Sequence, residues 1–341
     1  MTRPDDLAGA GRRRTGWRAG AGLAAGAVLL AGCAAVPPVP APATPSATPV
    51  VVEPAQAARI VTAASDALRA ADTAGDPALL AQRVTGPEKD LRTAAFAVRA
   101  KGAQPAGTGA ADELDPLTSM LPRQEGWPRF FLTVTDPGAD EKPSLVVLRS
   151  DSAREPYRIW GTPSLLPGVS LPAVDAPSAG VEVVAPDEDT NLVAAPQAVA
   201  DRYADVLTKG GASGFAAQFA DDPYRSEVTA SVAAQTAALS ASGGTLTQQH
   251  TVQPGSVIAV RTRDGGALVV AALRWESTST GPAGGRSGTL DPVLAALAGR
   301  ERATSATVVR EEVLAFAVPP TDGGPVRVLA AESGPVSVTA A

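Results

Sequence analysis

The sequence predicts an α+β protein in which a few helices precede antiparallel strands, with the same order occurring twice. Apolar residues recur at helical spacing over residues 57–71, and four short segments of strand composition follow them. The same order returns after a proline-rich passage from Gly161 to Pro196. A third observation is that residues in the two halves match at offsets of 139 and 136 along the chain.

Three helices are predicted at the start of the first half. The apolar stripe of residues 57–71 indicates one amphipathic helix. Asp76 and Pro77 begin a second, short helix through Val84, because an aspartate caps free backbone N–H groups and a proline fits the first helical turn. Residues 87–101 form the third helix. The predicted strands are residues 117–121, 129–135, 144–149 and 157–160.

The second half repeats this order. An apolar stripe from Val199 to Leu207 predicts a helix, Phe215 and Phe219 lie on a short one, and residues 223–242 form a third. The matches between the halves indicate an internal duplication, while chance matches between Ala-rich helices are the other interpretation. The predicted strands are residues 245–252, 257–262, 267–276 and 304–318, with a helical segment near residues 290–299.

The first 33 residues have the pattern of a cleavable export signal. Five arginines and two aspartates make residues 1–18 cationic, and residues 19–32 are uncharged but fewer than the ~20 needed to span a bilayer. The segment ends in Leu30-Ala31-Gly32-Cys33, which resembles the lipobox of bacterial lipoproteins. The resemblance implies cleavage before Cys33 and diacylglyceryl and palmitate-type chains on that residue. We therefore expect a protein anchored by lipid to the outer face of the cytoplasmic membrane.

Two other interpretations of this leader stay open. It is an uncleaved membrane anchor, or an ordinary secretory signal that is cut elsewhere. Cys33 favours the lipobox, since it is the single cysteine of the 341 residues and directly follows the apolar run. Arg13-Arg14 permits export by the twin-arginine route as well as by the general route.

Composition bounds the exported part. Without the five Arg and two Asp of the signal, 24 Lys and Arg residues stand against 33 Asp and Glu residues, a net charge of −9. Nucleic acid is therefore not an expected partner, because binding phosphates requires a basic surface. With no cysteine after Cys33, stability must come from core packing rather than from disulfides.

These observations predict five segments. They are a signal peptide with lipobox at residues 1–33, a Pro-rich tether at 34–54, a first α+β domain at 55–162, a linker at 163–195 and a second α+β domain at 196–341.

Two stretches resemble a family of uncharacterised actinobacterial lipoproteins. They are Gly126-Trp127-Pro128-Arg129-Phe130-Phe131 and Val328-Leu329-Ala330-Ala331-Glu332-Ser333-Gly334. A composition rich in Ala, Gly, Pro and Arg is typical of such high-GC genomes. Over roughly residues 55–340 the resemblance implies tandem cystatin-like domains, similar to the cone of the nuclear transport factor two superfamily, each with helices packed on a curved antiparallel sheet. It transfers no catalytic residue.

No catalytic constellation is recognisable, so the protein is expected not to be an enzyme and to need no cofactor. His250 is the only histidine; it lies in a predicted strand without a G-x-S-x-G elbow, and we interpret it as a partly exposed strand residue. The acidic clusters at residues 112–115 and 187–189 lack the spacing of a calcium loop, so we interpret them as solvated loop charges and predict no metal site. A hydrolase or isomerase would need a polar pocket around His250 or a pair of carboxylates.

The aromatic residues carry the remaining functional hypothesis. Only 4% of the residues are aromatic, and core packing is the simpler role for those in strands. The candidate pocket-lining residues are Trp127, Tyr157, Trp160 and Trp275. The leading prediction is a non-catalytic binding or accessory module, with the membrane and an envelope protein as partners. The alternative is a carrier or sensor of a small apolar ligand held in the cone.

Overall fold

The computed structural model describes residues 48–105, 114–135 and 142–341. Its α-helices each carry a proline at the first or second position, where the missing N–H group removes no hydrogen bond. The predicted short helix after Asp76 is a 3₁₀ segment, Pro77–Gln82, and the Asp76 carboxylate accepts a bond from the Ala78 N–H at 2.9 Å. The helices are α1 (Pro54–Ala74), α2 (Gly86–Ala100), α3 (Pro196–Lys209), α4 (Pro223–Ala241) and α5 (Pro292–Ala298).

The first sheet is antiparallel, with strand order β1-β3-β4-β5. Its strands are β1 (Pro116–Met120), β3 (Arg129–Thr135), β4 (Leu145–Ser150) and β5 (Arg158–Gly161). Two short strands, β2 (Pro122–Arg123) and β7 (Val181–Glu182), pair with each other in parallel. The four strands predicted in this half are confirmed to within one residue at each end.

The second sheet has the order β6-β14-β13-β10-β8, with β9 also paired to β10. Strand β14 was not predicted as a strand, because alanines, a glycine and Pro335 lower its apparent strand propensity. Long pairing with β13 overrides that local preference. The strands are β6 (Ser164–Leu165), β8 (Thr245–Val252), β9 (Ile258–Arg261), β10 (Ala267–Thr280), β13 (Ser305–Val318) and β14 (Arg327–Ala340); β11 (Gly288–Thr289) and β12 (Arg302–Ala303) form a separate pair.

The helices and sheets stack in four layers. One face of the first sheet packs on α1, with Phe131 and Leu148 against Val61 and Leu68. Alternate residues of the same strands pack against the second sheet, whose own far face is covered by α3. The alternation follows from the two-residue period of a strand. The predicted α+β class is therefore confirmed.

The predicted tether and linker contribute to the fold. Val51 and Val52 are buried, and the Val51 N–H donates to the Pro122 carbonyl oxygen at 2.8 Å, so packed chain begins before residue 55. The linker at 163–195 supplies β6, which pairs with β14, and β7. The described residues all fall in one compact unit. Residues 1–47, with Cys33 and most of the tether, lie outside the described residues, and the division into two domains stays a prediction.

Candidate functional site

A buried polar cluster lies on the second sheet beneath α3 and α4. The strand register places His250 of β8 opposite Trp275 of β10, and Glu312 of β13 opposite Leu273, two residues away from Trp275 on β10. The imidazole and indole rings stack with their centroids 5.0 Å apart and their planes at 18°. His250 Nε2 lies 3.6 Å from Glu312 Oε1, and both side chains are fully enclosed.

The two helices cover this cluster with hydroxyl groups. Tyr224, at the start of α4, donates its hydroxyl hydrogen to Glu312 Oε1. Burial and the Glu312 carboxylate raise the pKa of Tyr224 well above its usual value, so the hydroxyl stays protonated and acts as a donor. The hydroxyl oxygen of Thr208, in α3, accepts a hydrogen bond from the backbone N–H of His250 at 2.8 Å. The same hydroxyl lies 3.3 Å from His250 Nδ1 in the ring. The cluster thus joins three strands to two helices.

The chemistry open to this cluster is limited by its enclosure. Within the described residues, His250 Nε2, Trp275 Nε1 and Glu312 Oε2 are buried and have no hydrogen-bond partner. The side chains of His250 and Glu312 have no exposed surface, so neither group is open to a substrate in this conformation. Arg310 also belongs to this cluster. Its guanidinium lies 4.4 Å from the Trp275 ring centroid and donates a hydrogen bond to the Ser277 hydroxyl at 3.2 Å.

A second polar cluster joins α1 and α2 to β14. Arg92 of α2 donates to Glu88 Oε1 and to Asp72 Oδ2, each at 2.8 Å. The Thr162 hydroxyl donates to Glu88 Oε2 at 2.9 Å, and the Thr162 N–H donates to Glu332 Oε2 at 3.0 Å. Three carboxylates and at least one arginine therefore meet where the two halves of the chain contact each other.

Burial controls protonation in this second cluster. Desolvation, followed by the charge of Glu88, raises the pKa of the Glu332 carboxyl to about 8. Burial alone would lower the pKa of Arg92, but the neighbouring Glu88 and Asp72 carboxylates raise it above its usual range. Arg92 therefore stays charged, while the Glu332 carboxyl holds a proton near neutral pH.

A groove runs between α4 and the two 3₁₀ segments Gly210–Ala212 and Ala216–Gln218. Its volume is about 630 Å³. Small side chains line most of the groove. Arg225, at its edge, forms ion pairs with Asp221 and Asp222. Of the 19 residues of α4, Val228 alone is fully buried, so this helix presents most of its surface to solvent. The main lining residues are Val206, Ala216, Phe219, Ala230 and Ala233.

The structure does not bring the four candidate pocket-lining aromatic residues together. Trp127 is 40% exposed, whereas Tyr157, Trp160 and Trp275 are buried in three different packed clusters. Tyr157 packs edge-on against Phe131, with ring centroids 5.2 Å apart. None of the four lines the groove beside α4. A ligand site formed by these residues stays a prediction.

Two interpretations of polar residues need correction. His250 lies in a strand as predicted, but it is buried rather than partly exposed, because α3 covers that face of the sheet. Glu188 is not a free loop charge, since it pairs with Arg261. No group of three or more potential metal ligands occurs in the described ranges.

Sequence reasoning missed Glu88, Tyr224, Glu312 and Glu332. One signal pointed to Glu312: the charged run Arg310-Glu311-Glu312 interrupts an otherwise apolar strand, and charges inside a buried strand require partners. Glu88 has a local signal, because Arg92 follows it at the helical spacing of four residues and pairs with it. Tyr224 and Glu332 carry no such signal, since their partners Glu312 and Thr162 lie far away along the chain.

The layers and buried clusters define an α+β protein built of two helix-covered sheets packed face to face. The chain belongs to the family described as a domain of unknown function (DUF8094), which matches residues 47–340. It is 27% identical over 220 residues to a protein of Streptomyces avermitilis named "Uncharacterized lipoprotein". That match covers 63% of this chain and 63% of the relative, so the chain spans less than two thirds of it. No solved structure matches this chain.

Proposed function

We propose that the protein is an envelope lipoprotein, held on the outer face of the cytoplasmic membrane by lipid on Cys33, whose folded part is a non-catalytic binding or accessory module. The carrying observation is the sequence Leu30-Ala31-Gly32-Cys33 at the end of an apolar leader. The name of the Streptomyces relative supports it. In the described part of the chain, no helix has both the length and the apolarity to cross a membrane.

Intact mass and membrane partition test the anchoring. The wild type, expressed in an actinobacterial host, should carry a mass increase from acyl chains and stay with membranes, since two or more chains are needed for stable anchoring. Cys33→Ala should lose both properties. Ser46→Ala, which leaves the lipobox intact, is the matched control. An unmodified wild type released into the medium would overturn the proposal.

We also infer that the two halves are related cystatin-like units. Support comes from the repeated layering, in which each sheet carries helices on one face and packs on the other sheet through its other face. An experimental structure tests this directly. We expect that residues 55–162 will superpose on residues 196–341 with equivalent strands in register. Different strand connections in the two halves would contradict the inference.

The groove beside α4 supports the binding role. It is open, lined by small side chains, and bordered by a helix that the rest of the protein covers only in part. We therefore propose that an envelope partner protein binds in this groove. Small-ligand carriage has less support, because the space between α3 and the second sheet is filled by packed rings, with Tyr203 at 5.0 Å from Phe219 and 5.2 Å from Phe316.

Site-specific photo-crosslinking in the envelope tests this contact. A crosslinking residue at Ala233, inside the groove, should give one discrete adduct in cells. The control is Ala238, which is also exposed on α4 but lies about 140° around the helix from Ala233. Ala230→Glu should abolish the adduct at Ala233. Equal crosslinking from both positions, or none from either, would contradict a partner in the groove.

A further inference from the structure

The tether meets the fold beside an exposed loop. Val50 forms an antiparallel bridge with Arg123. In an antiparallel pair, the residues before one partner lie beside the residues after the other. The chain that arrives from Cys33 through residues 48–49 therefore runs alongside the loop of residues 124–128.

This loop presents a tryptophan to solvent. The Trp127 side chain is 40% exposed, whereas Trp160 and Trp275 are each only 6% exposed. The guanidinium of Arg129 lies 4.7 Å from the Trp127 ring centroid. Two bonds hold the loop in shape: Arg129 Nε donates to the Gly126 carbonyl oxygen at 3.1 Å, and Gln124 Nε2 to that of Pro128 at 2.9 Å.

The end of the first sheet that carries this loop is locally basic. The register pairs Arg129 with Ser150 and Arg149 with Arg158, so the same end of three strands holds them. Two of its arginines are neutralised, Arg149 by Asp151 at 2.8 Å and Arg158 by Glu155 at 3.1 Å. In the described ranges, three others form no ion pair within 4 Å: Arg123, Arg129 and Arg154. Their charge exceeds that of the two nearby carboxylates, Glu125 in the loop and Glu182, which the register places opposite Arg123. This is a local exception in a chain with net negative charge.

We propose that the loop of residues 124–128 rests on an anionic lipid surface, with the Trp127 indole in the headgroup region and the neighbouring arginines beside lipid phosphates. This inference rests on the proposed lipid anchoring. Tryptophan favours the bilayer interface because its ring is apolar and its N–H is polar. The nearby arginines are attracted to the phosphates of an anionic surface. The residues 34–49 reach up to about 50 Å, which permits the contact.

Fluorescence quenching in vesicles tests the contact. The mature, acylated protein is reconstituted into phosphatidylglycerol-containing vesicles that include a lipid brominated near its headgroup. Flotation of the vesicles reports anchoring separately. Quenching of tryptophan emission is expected in the wild type and should fall at least threefold in Trp127→Phe, since the other two mature tryptophans are buried. Arg123→Ala combined with Arg129→Ala should also reduce it, as should vesicles of neutral lipid.

Phe215 provides the matched control. It is 37% exposed, and Arg202 lies 5.6 Å from its ring centroid, so it repeats the arrangement of Trp127 and Arg129 elsewhere on the surface. The double variant Trp127→Phe, Phe215→Trp keeps the number of tryptophans and should not be quenched. If the wild type floats with vesicles but is not quenched, or if the control is quenched equally, this inference is wrong and the anchoring stands. If the wild type does not float, both fail.

Discussion

Glu88 of α2 and Glu332 of β14 hold Thr162 between them, the first through the threonine hydroxyl at 2.9 Å and the second through its backbone N–H at 3.0 Å. The Thr162 hydroxyl also lies 3.3 Å from Glu332 Oε1. Two carboxyl groups, the buried Glu88 and the half-buried Glu332, thus share one donor residue at the junction of the two sheets. Desolvation, followed by the nearby charge of Glu88, raises the pKa of Glu332, so this carboxyl retains a proton that an exposed glutamate would lose.

The first prediction concerns pH. Burial raises the pKa of Glu332 from 4.5 to about 8, so the folded protein binds a proton that the unfolded chain releases between these values. The contribution of Glu332 to the free energy of unfolding should therefore be fully present below about pH 4.5 and be lost as the pH rises towards 8. Glu332→Gln, which mimics the protonated group, should remove part of this slope and be more stable than the wild type at pH 8. Urea unfolding at several pH values measures the free energy of unfolding of both proteins and therefore this slope.

A second carboxyl group acts in the same direction and needs its own variant. Burial raises the pKa of Glu311 to about 7, although Arg274 opposes the shift. Glu311→Gln should remove a further part of the slope, with Glu276→Gln, on the exposed side of β10, as control. A wild type whose stability rises between pH 5 and 8, or an unchanged slope in Glu332→Gln, would contradict the assignment.

The second prediction concerns the cluster under α4. Tyr224→Phe removes the hydroxyl that donates to the enclosed Glu312, and a hydrogen bond to a charged group contributes about 2 kcal/mol. The free energy of unfolding, measured with urea, should fall by about this amount. Ser231→Ala, at an exposed position of the same helix, should change it by less than about 0.5 kcal/mol. Equal effects in the two variants would show that the Tyr224 bond contributes nothing specific.

The third prediction compares two glycines with left-handed backbone. Gly86 has φ +58°, and a Cβ there would lie 2.6 Å from Trp160 Cδ1. Gly75 has φ +62° with no atom within 4 Å of its Cβ position. Gly75→Ala should lower the free energy of unfolding by about 1 kcal/mol from backbone strain alone, and Gly86→Ala by about 3 kcal/mol because the indole must move. Trp160 emission should shift only in Gly86→Ala; the reverse order of stabilities would refute the packing argument.

The fourth prediction concerns cooperativity. Phe131 lies between the first sheet and α1, and Phe316 lies between the second sheet and α3, both fully buried. Each change to alanine should cost about 3–5 kcal/mol. Because the two sheets share a packed interface, both variants should lower the midpoint of one common unfolding transition. Two separate transitions, each moved by one variant, would instead favour the two independent domains that the sequence predicted.

Much of the local structure could be predicted because it depends on neighbouring residues. The helical stripe through Val61 and Leu68, the aspartate cap at Asp76 and the strand at residues 129–135 follow from spacing and capping within a few residues. Strand β14 could not be found in this way. Its Ala330-Ala331 and Gly334-Pro335 stretches have weak strand propensity, and its conformation is decided by pairing with β13.

The sequence by itself determined the class of fold, the order of its helices and most strands, and a leader ending in Cys33 that predicts a lipid anchor. Only the tertiary structure decided which partners meet: Glu88 with Glu332, His250 with Glu312, and the tether with the loop of Trp127. These pairs are separated by tens to hundreds of residues, and burial acts on them through long-range packing that local patterns do not encode.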